Sequence, residues 1–206
     1  VKKNLSVMAL KTVWELQGTS CLLLDEAVSD KKAIISSRTF RRALNEKAQL
    51  VEAIAHFTAM AAEKLRKQGC VAGFLTVKIA TNKHRGDYIK RQAHMTLPTP
   101  TAHTPKLIAY AHAILEKIYL PDLPYKRGSI MLSDFSKGSE QQDLFAKELP
   151  DSPALTSLVD QVNKKYGNNT LFYAAEGIER GWRPKGEHLS PRYTTQWSEI
   201  PNARIE

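Results

Sequence analysis

Hydrophobic and polar positions follow two different periods between residues 31 and 135, and the switches between them predict secondary structure. Val71 to Ala80 and Tyr88 to Leu97 alternate at every second residue, which is typical of half-buried strands. Residues 46–67 repeat apolar side chains at intervals of three and four, which predicts a helix. The chain therefore carries both strand and helix signals in one short region.

The remaining elements of this region complete a known succession. Lys31 to Phe40 and Tyr125 to Phe135 read as further strands, while Pro98-Thr99-Pro100 predicts an interruption. Thr104-Pro105 supplies a cap and a first-turn proline for a second helix. The order β-α-β-β-α-β predicts an α+β split βαβ fold, in which two helices cover one face of a four-stranded sheet and leave the other face free.

Two flanking regions have a different character. Residues 4–17 predict a short amino-terminal helix that ends at Gly18. Residues 152–166 predict another helix, after which Trp182 and Trp197 lie among Gly, Pro, Ser and Thr without periodicity. We expect a helical and irregular carboxy-terminal extension that folds against something else.

Charge is concentrated in the middle of the chain. The net charge of +9 divides into nineteen basic and eight acidic residues over 31–140, while residues 1–30 and 141–206 are each close to neutral. A surface that binds a polyanion is therefore expected on the middle segment.

The predicted free face of the sheet is basic and hydroxylated. Gln92, His94 and Ser133 are also assigned to it. The residues that we predict to contact nucleic acid, on this face, at its margin or in adjoining turns, are Ser36, Arg38, Thr39, Arg41, Arg42, Lys78, Lys83, Arg85, Lys90, Arg91, Thr96, Arg127 and Ser129. Because aromatic side chains are not interleaved there, we expect double-stranded nucleic acid held by its backbone rather than stacked single-stranded bases.

Signals for catalysis, metal binding and export are missing. There is no GxxxxGK[ST], HExxH or GxSxG, and the six histidines show no metal-ligand spacing. Cys21 and Cys70 are expected to be reduced, structural thiols. Without a signal peptide or a long apolar run, we expect a cytoplasmic protein with no membrane contact.

Gln141-Gln142-Asp143-Leu144-Phe145 resembles the peptide by which bacterial replication proteins dock onto the sliding clamp. Gln141, Leu144 and Phe145 would make the contacts, since such peptides insert apolar anchors into a pocket and hydrogen-bond at its rim. The same residues also fit a helix over 140–149 that covers the core. The preceding residues 136–139 favour an exposed leash.

Longer motifs extend the resemblance to the whole chain. Leu16 to Cys21, Ser36 to Phe40, Asn163 to Gly167 and above all Ser190 to Trp197 resemble the carboxy-terminal part of UmuC-type proteins. These are catalytic subunits of error-prone polymerase V and its plasmid-borne relatives, within the Y family of translesion DNA polymerases. Gln142 departs from the apolar residue often found there.

The resemblance implies a domain plan. Residues 1–30 would be the end of the thumb and a linker, and residues 31–135 the little finger, which lays its sheet in the DNA major groove. Residues 136–150 would be a linker with the clamp-binding peptide, and residues 151–206 a UmuC-type extension.

The resemblance also implies partners and a missing catalyst. The expected partners are primer–template duplex, the sliding clamp and, through the extension, the processed UmuD dimer and RecA. The catalytic palm and its Mg²⁺ would lie upstream of Val1, so this chain would need no cofactor and would not polymerise DNA by itself. The role implied is DNA gripping and clamp tethering in SOS repair and mutagenesis.

The residues alone also permit a second function, from a different class of protein. A free-standing regulatory module that binds nucleic acid through a ferredoxin-like fold would show the same β-α-β-β-α-β order and the same basic middle segment. A small hydrolase or transferase would need a catalytic constellation that the sequence does not show.

Overall fold

The structure is a computed structural model that describes residues 6–21, 31–84, 86, 88–137, 153–183 and 189–201. The chain divides into two compact units, residues 1–31 and 32–206. In the described part of the chain, no helix is both long and apolar enough to cross a membrane.

The first unit contains helix α1, Val7–Leu16. The hydroxyl of Ser6 caps it by accepting a hydrogen bond from the backbone N–H of Ala9 at 3.4 Å. Gly18 follows the helix with a φ of 86°, a left-handed conformation that glycine adopts without strain. The predicted amino-terminal helix is present and is slightly shorter than expected.

The second unit is built on a four-stranded antiparallel sheet. Its strands are β1 (Ala33–Leu44), β2 (Cys70–Ala80), β3 (Lys90–Thr101) and β4 (Tyr125–Lys137). Helix α2 (Lys47–Lys67) follows β1, and helix α3 (Thr104–Ile118) follows β3. The strand order in space is β1-β4-β2-β3. The predicted α+β fold and its β-α-β-β-α-β succession are confirmed.

The hydrophobic core lies between the sheet and the two helices. Leu75, Val77 and Ile79 alternate along β2 and are completely buried beneath the helices. Each such side chain stabilises the fold by about 1.5–3 kcal/mol, so a slip of one residue in register would be costly. The helices supply large, fully buried partners: Leu50, Ile54, Phe57, Leu65, Leu107, Ile114 and Leu115.

Strand β3 continues through the segment where an interruption was predicted. Pro98 and Pro100 both lie inside Lys90–Thr101, with a shift of pairing register opposite Ala72 and Phe74. The prediction was wrong because β3 is an edge strand, where a residue without an N–H is tolerated.

Helix α4, Pro153–Tyr166, is held against the other helices by one arginine. The Arg66 guanidinium donates to both carboxylate oxygens of Asp160, at 2.7 and 2.8 Å. It also donates to the Ala102 carbonyl and the Thr104 hydroxyl, each at 2.8 Å. Arg66 of α2 therefore ties α3 and α4 together through strong, charge-assisted hydrogen bonds.

Trp182 extends the core from the carboxy-terminal side. Its indole is 3% exposed and packs edge-on against Phe57 and Phe40, with ring centroids 5.5 and 6.3 Å apart. The His56 ring lies 5.3 Å away. Apart from a 3-10 turn at Ala174–Glu176, the chain from 167 to 183 is irregular, yet it covers α2. The extension was expected to fold against another part of the chain, and it packs against α2.

Candidate nucleic-acid interface

The sheet face without helices carries a cluster that we call the basic patch, made of Lys78, Lys90 and Arg127. Lys78 pairs with Ser129 on one side, while Ala80, two residues further along β2, pairs with both Lys90 and Arg127. Directly paired residues project from the same face of a sheet. Three cations from three adjacent strands therefore surround one area of the free face.

Repulsion within the basic patch shows in its electrostatics. Burial lowers the pKa of Lys78 from its ordinary value, and the charge and close approach of Lys90 and then the charge of Arg127 lower it further. Among the described residues, no carboxylate forms an ion pair with any of the three. An anion placed over the patch would relieve this repulsion.

Hydroxyl and amide groups surround the basic patch. Ser37 and Ser129 pair across β1 and β4, Gln92 pairs with Lys78, and Thr39 pairs with Arg127. Neutral donors beside cations are the groups that commonly bind phosphate oxygens in DNA complexes. The free face thus combines positive charge with uncharged hydrogen-bond donors.

An irregular stretch of β1 adds cations at the sheet margin. The pairing register with β4 shifts between Thr39 and Leu44, and the intervening Arg41 and Arg42 are exposed. The ammonium of Lys126 donates to the Arg41 carbonyl at 2.6 Å, which holds this stretch beside β4. Both arginines therefore lie along the β1 edge of the sheet.

The other predicted DNA contacts are distributed around the sheet. Thr96 lies exposed on the free face opposite Phe74, and Lys83 lies exposed in the turn after β2. Arg85 lies outside the described residues. The structure thus places Thr96 and Lys83 where a ligand on the free face or its edge can reach them.

Two predicted contact residues lie on the covered face instead. Ser36 is 7% exposed and pairs with the fully buried Ile130, beneath the helices. Arg91 pairs with the buried Ile79, and its Nε is buried without a hydrogen-bond partner among the described residues. Strand alternation assigns both positions to the face that the helices cover, so neither side chain can reach a ligand from the free face.

The free face also contains aromatic rings, contrary to prediction. Phe74 and His94 stack on this face with ring centroids 5.0 Å apart and planes 27° from parallel. Met131 and Ile35 pair beside them, and Ile35 is 60% exposed. The face therefore has a basic end and an apolar end, with a single stacked ring pair at the apolar end.

A cleft of about 510 Å³ lies on the covered side, between α2 and the extension. His56 of α2 binds the extension at two points: its Nδ1–H donates to the Glu176 carboxylate at 2.6 Å, and its Nε2 accepts from the Arg183 guanidinium at 2.8 Å. Arg38 also lines this cleft. Arg38 was predicted at the margin of the free face, but it has the same alternation as Ser36 and faces the helix side.

Arg180 fixes the irregular part of the extension that forms the cleft wall. Its guanidinium donates to the Gly177 carbonyl at 3.0 Å, to the Asn169 side chain at 3.2 Å and to the Glu176 carboxylate at 3.3 Å. It also lies 4.5 Å from the centre of the Phe172 ring. These contacts hold Glu176 in position for His56.

Metal binding has no described site. Among the residues that the structure describes, no three His, Cys, Asp or Glu side chains come together as possible metal ligands. We therefore assign no described residue to magnesium.

Family comparisons agree with this architecture. Residues 31–144, more than half of the chain, match the impB/mucB/samB family C-terminal domain. Residues 153–203 match a domain of unknown function, DUF4113. The chain belongs to the impB/mucB/samB family.

Curated relatives from this family match almost the whole chain. Protein MucB of Salmonella typhimurium is 34% identical over 210 residues, covering 100% of this chain and 50% of its own length. Protein UmuC of Salmonella typhimurium strain LT2 is 34% identical over 205 residues, covering 97% and 49%. The predicted resemblance to UmuC-like Y-family translesion polymerases is confirmed. The chain spans about half the length of these relatives.

Solved structures match as well, and one of them illustrates the likeness. It is described as a complex of beta-clamp processivity factor and the little finger domain of PolIV, is 12% identical, and covers 55% of this chain and 98% of its own, with a TM-score of 0.39. At that score, the likeness supports no conclusion about this chain.

The predicted clamp-binding residues Gln141, Leu144 and Phe145 lie outside the described residues. Their role stays a prediction, as does the alternative in which they form part of a helix.

Proposed function

We propose that the chain grips duplex DNA by its phosphate backbone and acts as the DNA-binding, carboxy-terminal part of a translesion DNA polymerase. The observation that carries this proposal is the basic patch, in which Lys78, Lys90 and Arg127 converge on the face of the sheet that no helix covers. Family membership supplies the polymerase context.

Phosphate binding is the best explanation of the basic patch for a physical reason. Lys90 and Arg127 lower the pKa of Lys78, and none of the three has a described carboxylate partner, so a polyanion would stabilise the cluster. Neighbouring Ser129, Thr39 and Gln92 add uncharged hydrogen-bonding groups, which position a duplex without reading its sequence. A duplex is favoured over a single strand because the face offers one stacked ring pair, Phe74 and His94, rather than a row of platforms.

The salt dependence of duplex binding tests the proposal. The 206-residue chain is titrated into a fluorescently labelled duplex of random sequence at several salt concentrations, and binding is followed by anisotropy. We expect log K to fall linearly with log salt concentration, with a slope of about -0.9 for each phosphate neutralised. A flat response, or no binding at low salt, contradicts the proposal.

For the whole protein, we propose DNA-directed DNA polymerase activity in SOS-type repair and mutagenesis. The catalytic palm, with the carboxylates that hold Mg²⁺, would then belong to the part of the protein outside this chain. Residues 1–30 would end the thumb, residues 31–135 would form the little finger in the major groove, and residues 151–206 would form the family-specific extension. Such a role also implies a cytoplasmic location.

Tethering to the sliding clamp is part of the same proposal. Gln141, Leu144 and Phe145, within the linker 136–150, would bind the clamp and raise the local concentration of the DNA grip at the primer. The processed UmuD dimer and RecA would bind the extension. Support for a protein contact there comes from Trp197, which is 90% exposed on a turn that the Arg192–Glu199 ion pair holds together.

A further inference from the structure

Two guanidinium groups from distant parts of the chain line the cleft between α2 and the extension. Arg38 belongs to β1, and Arg183 directly follows Trp182 in the extension. Two contacts fix the Arg183 guanidinium. It donates to His56 Nε2 at 2.8 Å and lies 5.8 Å from the centre of the Trp182 ring. Within the described part of the chain, neither arginine forms an ion pair with a carboxylate.

The carboxylates of the cleft do not neutralise these two arginines, because each is already engaged. The three pairs are Glu63 with Lys67 at 2.6 Å, Asp160 with Arg66 at 2.7 Å, and Glu176 with Arg180 at 3.3 Å. The cleft therefore keeps uncompensated positive charge at Arg38 and Arg183.

Both guanidinium groups donate hydrogen bonds but cannot accept them. A ligand that satisfies both must bring acceptor atoms and negative charge, as a phosphate does. Trp182 also lines the cleft, with an indole that is 3% exposed.

The electrostatic surroundings of Arg183 favour an anion beside it. Burial lowers the pKa of Arg183 from its ordinary value, and the positive charges of Arg180 and Arg38 lower it further, against the opposing effect of Glu176. A bound phosphate would reverse this effect.

We propose that Arg38 and Arg183 together bind one backbone phosphate of DNA, where a strand passes from the free face around the β1 edge. The inference rests on the proposed DNA-binding function. Arg38 directly precedes Thr39, which faces the basic patch, and the Arg41 N–H lies 3.5 Å from the Trp182 carbonyl, so the extension borders the same edge. A cleft of about 510 Å³ accommodates a phosphate together with its sugar. The extension is thereby a part of the DNA grip.

Charge removal in the full chain tests the site. Arg183→Gln is expected to weaken duplex binding roughly tenfold at low salt and to reduce the salt slope by about 0.9, the value for one phosphate. Arg183→Lys keeps the charge and should keep most of the slope. Lys164→Gln is the matched control, since Lys164 is an exposed cation of α4 outside the cleft, and its slope should equal that of the native chain.

The double variant shows whether the two arginines share a phosphate. If they do, Arg38→Gln with Arg183→Gln lowers the slope by about 0.9 in total, as either single variant does. A loss of about 1.8 means two independent contacts and overturns the shared site. Arg38→Gln alone serves as the test if Arg183→Gln disturbs folding, because Arg38 takes no part in the His56 network.

The controls separate this inference from the proposed function. If Lys78→Gln lowers the slope while Arg38→Gln and Arg183→Gln do not, the basic patch binds DNA and the cleft does not, which overturns the inference alone. If the native chain does not bind duplex at all, the proposed function fails and the inference fails with it. Circular dichroism of each variant verifies that its fold is intact.

Discussion

Replacing Trp182 by alanine is expected to loosen the attachment of the carboxy-terminal extension to helix α2. The indole is 3% exposed and contacts three rings, Phe40, Phe57 and His56, at centroid distances between 5.3 and 6.3 Å. Removing it leaves a cavity between α2 and the extension, in the place where the irregular segment enters the core.

The magnitude follows from burial. Truncating a buried tryptophan to alanine costs about 3–5 kcal/mol, which combines lost transfer free energy with the cavity that remains. No hydrogen bond is lost in addition, because Nε1 has no acceptor among the described residues. For a chain of this size, the expected fall in the melting temperature is about 6–20 °C.

Urea denaturation, followed by circular dichroism, measures the effect. Trp197→Ala is the matched control, because the same side chain is removed from a position that is 90% exposed. Its free energy of unfolding should stay within about 0.5 kcal/mol of the native value. Limited proteolysis adds a local readout, since cleavage within 167–183 should accelerate only in the Trp182→Ala chain.

The reasoning would be refuted by equal stabilities of the two variants. In that case Trp182 would not bury its indole against α2, and the cleft lined by Arg183 would lose its structural basis. A loss confined to Trp182→Ala supports the packing described above.

Two further predictions concern Lys78 and the clamp. Because a bound phosphate raises the lowered pKa of Lys78, duplex affinity should fall as pH rises towards the ordinary lysine value of 10.5, and Lys78→Arg should flatten that profile in a binding titration. In a pull-down, the sliding clamp should fail to retain the double variant Leu144→Ala, Phe145→Ala. The same clamp should retain the Leu149→Ala variant. Equal retention of both variants contradicts the tether.

Strand and helix periods were sufficient to predict the sheet. Leu75, Val77 and Ile79 alternate with Thr76 and Lys78, and only one pairing of the strands buries the apolar set. The basic end of the free face could therefore be predicted from the sequence.

Two polar residues on the covered face were predicted as ligand contacts by residue type rather than by strand position. Ser36 and Arg91 look like ligand contacts by residue type, but their positions in the alternation put them beneath the helices. Phe74 was not assigned to either face, although it has the same alternation as Thr76 and Lys78. For these residues, the position in the strand determines which face the side chain occupies, and residue type alone does not predict it.

The docking of the extension left no periodic signal. Trp182, Arg180 and Arg183 follow one another in an irregular segment, and their contacts with His56 and Glu176 join parts of the chain more than a hundred residues apart or lie within the segment itself. Sequence spacing cannot predict pairs of that kind. The cleft and its two arginines therefore emerged only from the three-dimensional arrangement.

The most direct test of the central claim is the salt dependence of duplex binding for a chain without the basic patch. The triple variant Lys78→Gln, Lys90→Gln, Arg127→Gln is compared with Lys117→Gln, Lys164→Gln, Lys165→Gln, which loses the same charge from exposed positions on α3 and α4. The account predicts a slope smaller by about 2.7 for the first variant and a native slope for the second. Equal slopes for the two variants would contradict a DNA grip on the free face of the sheet.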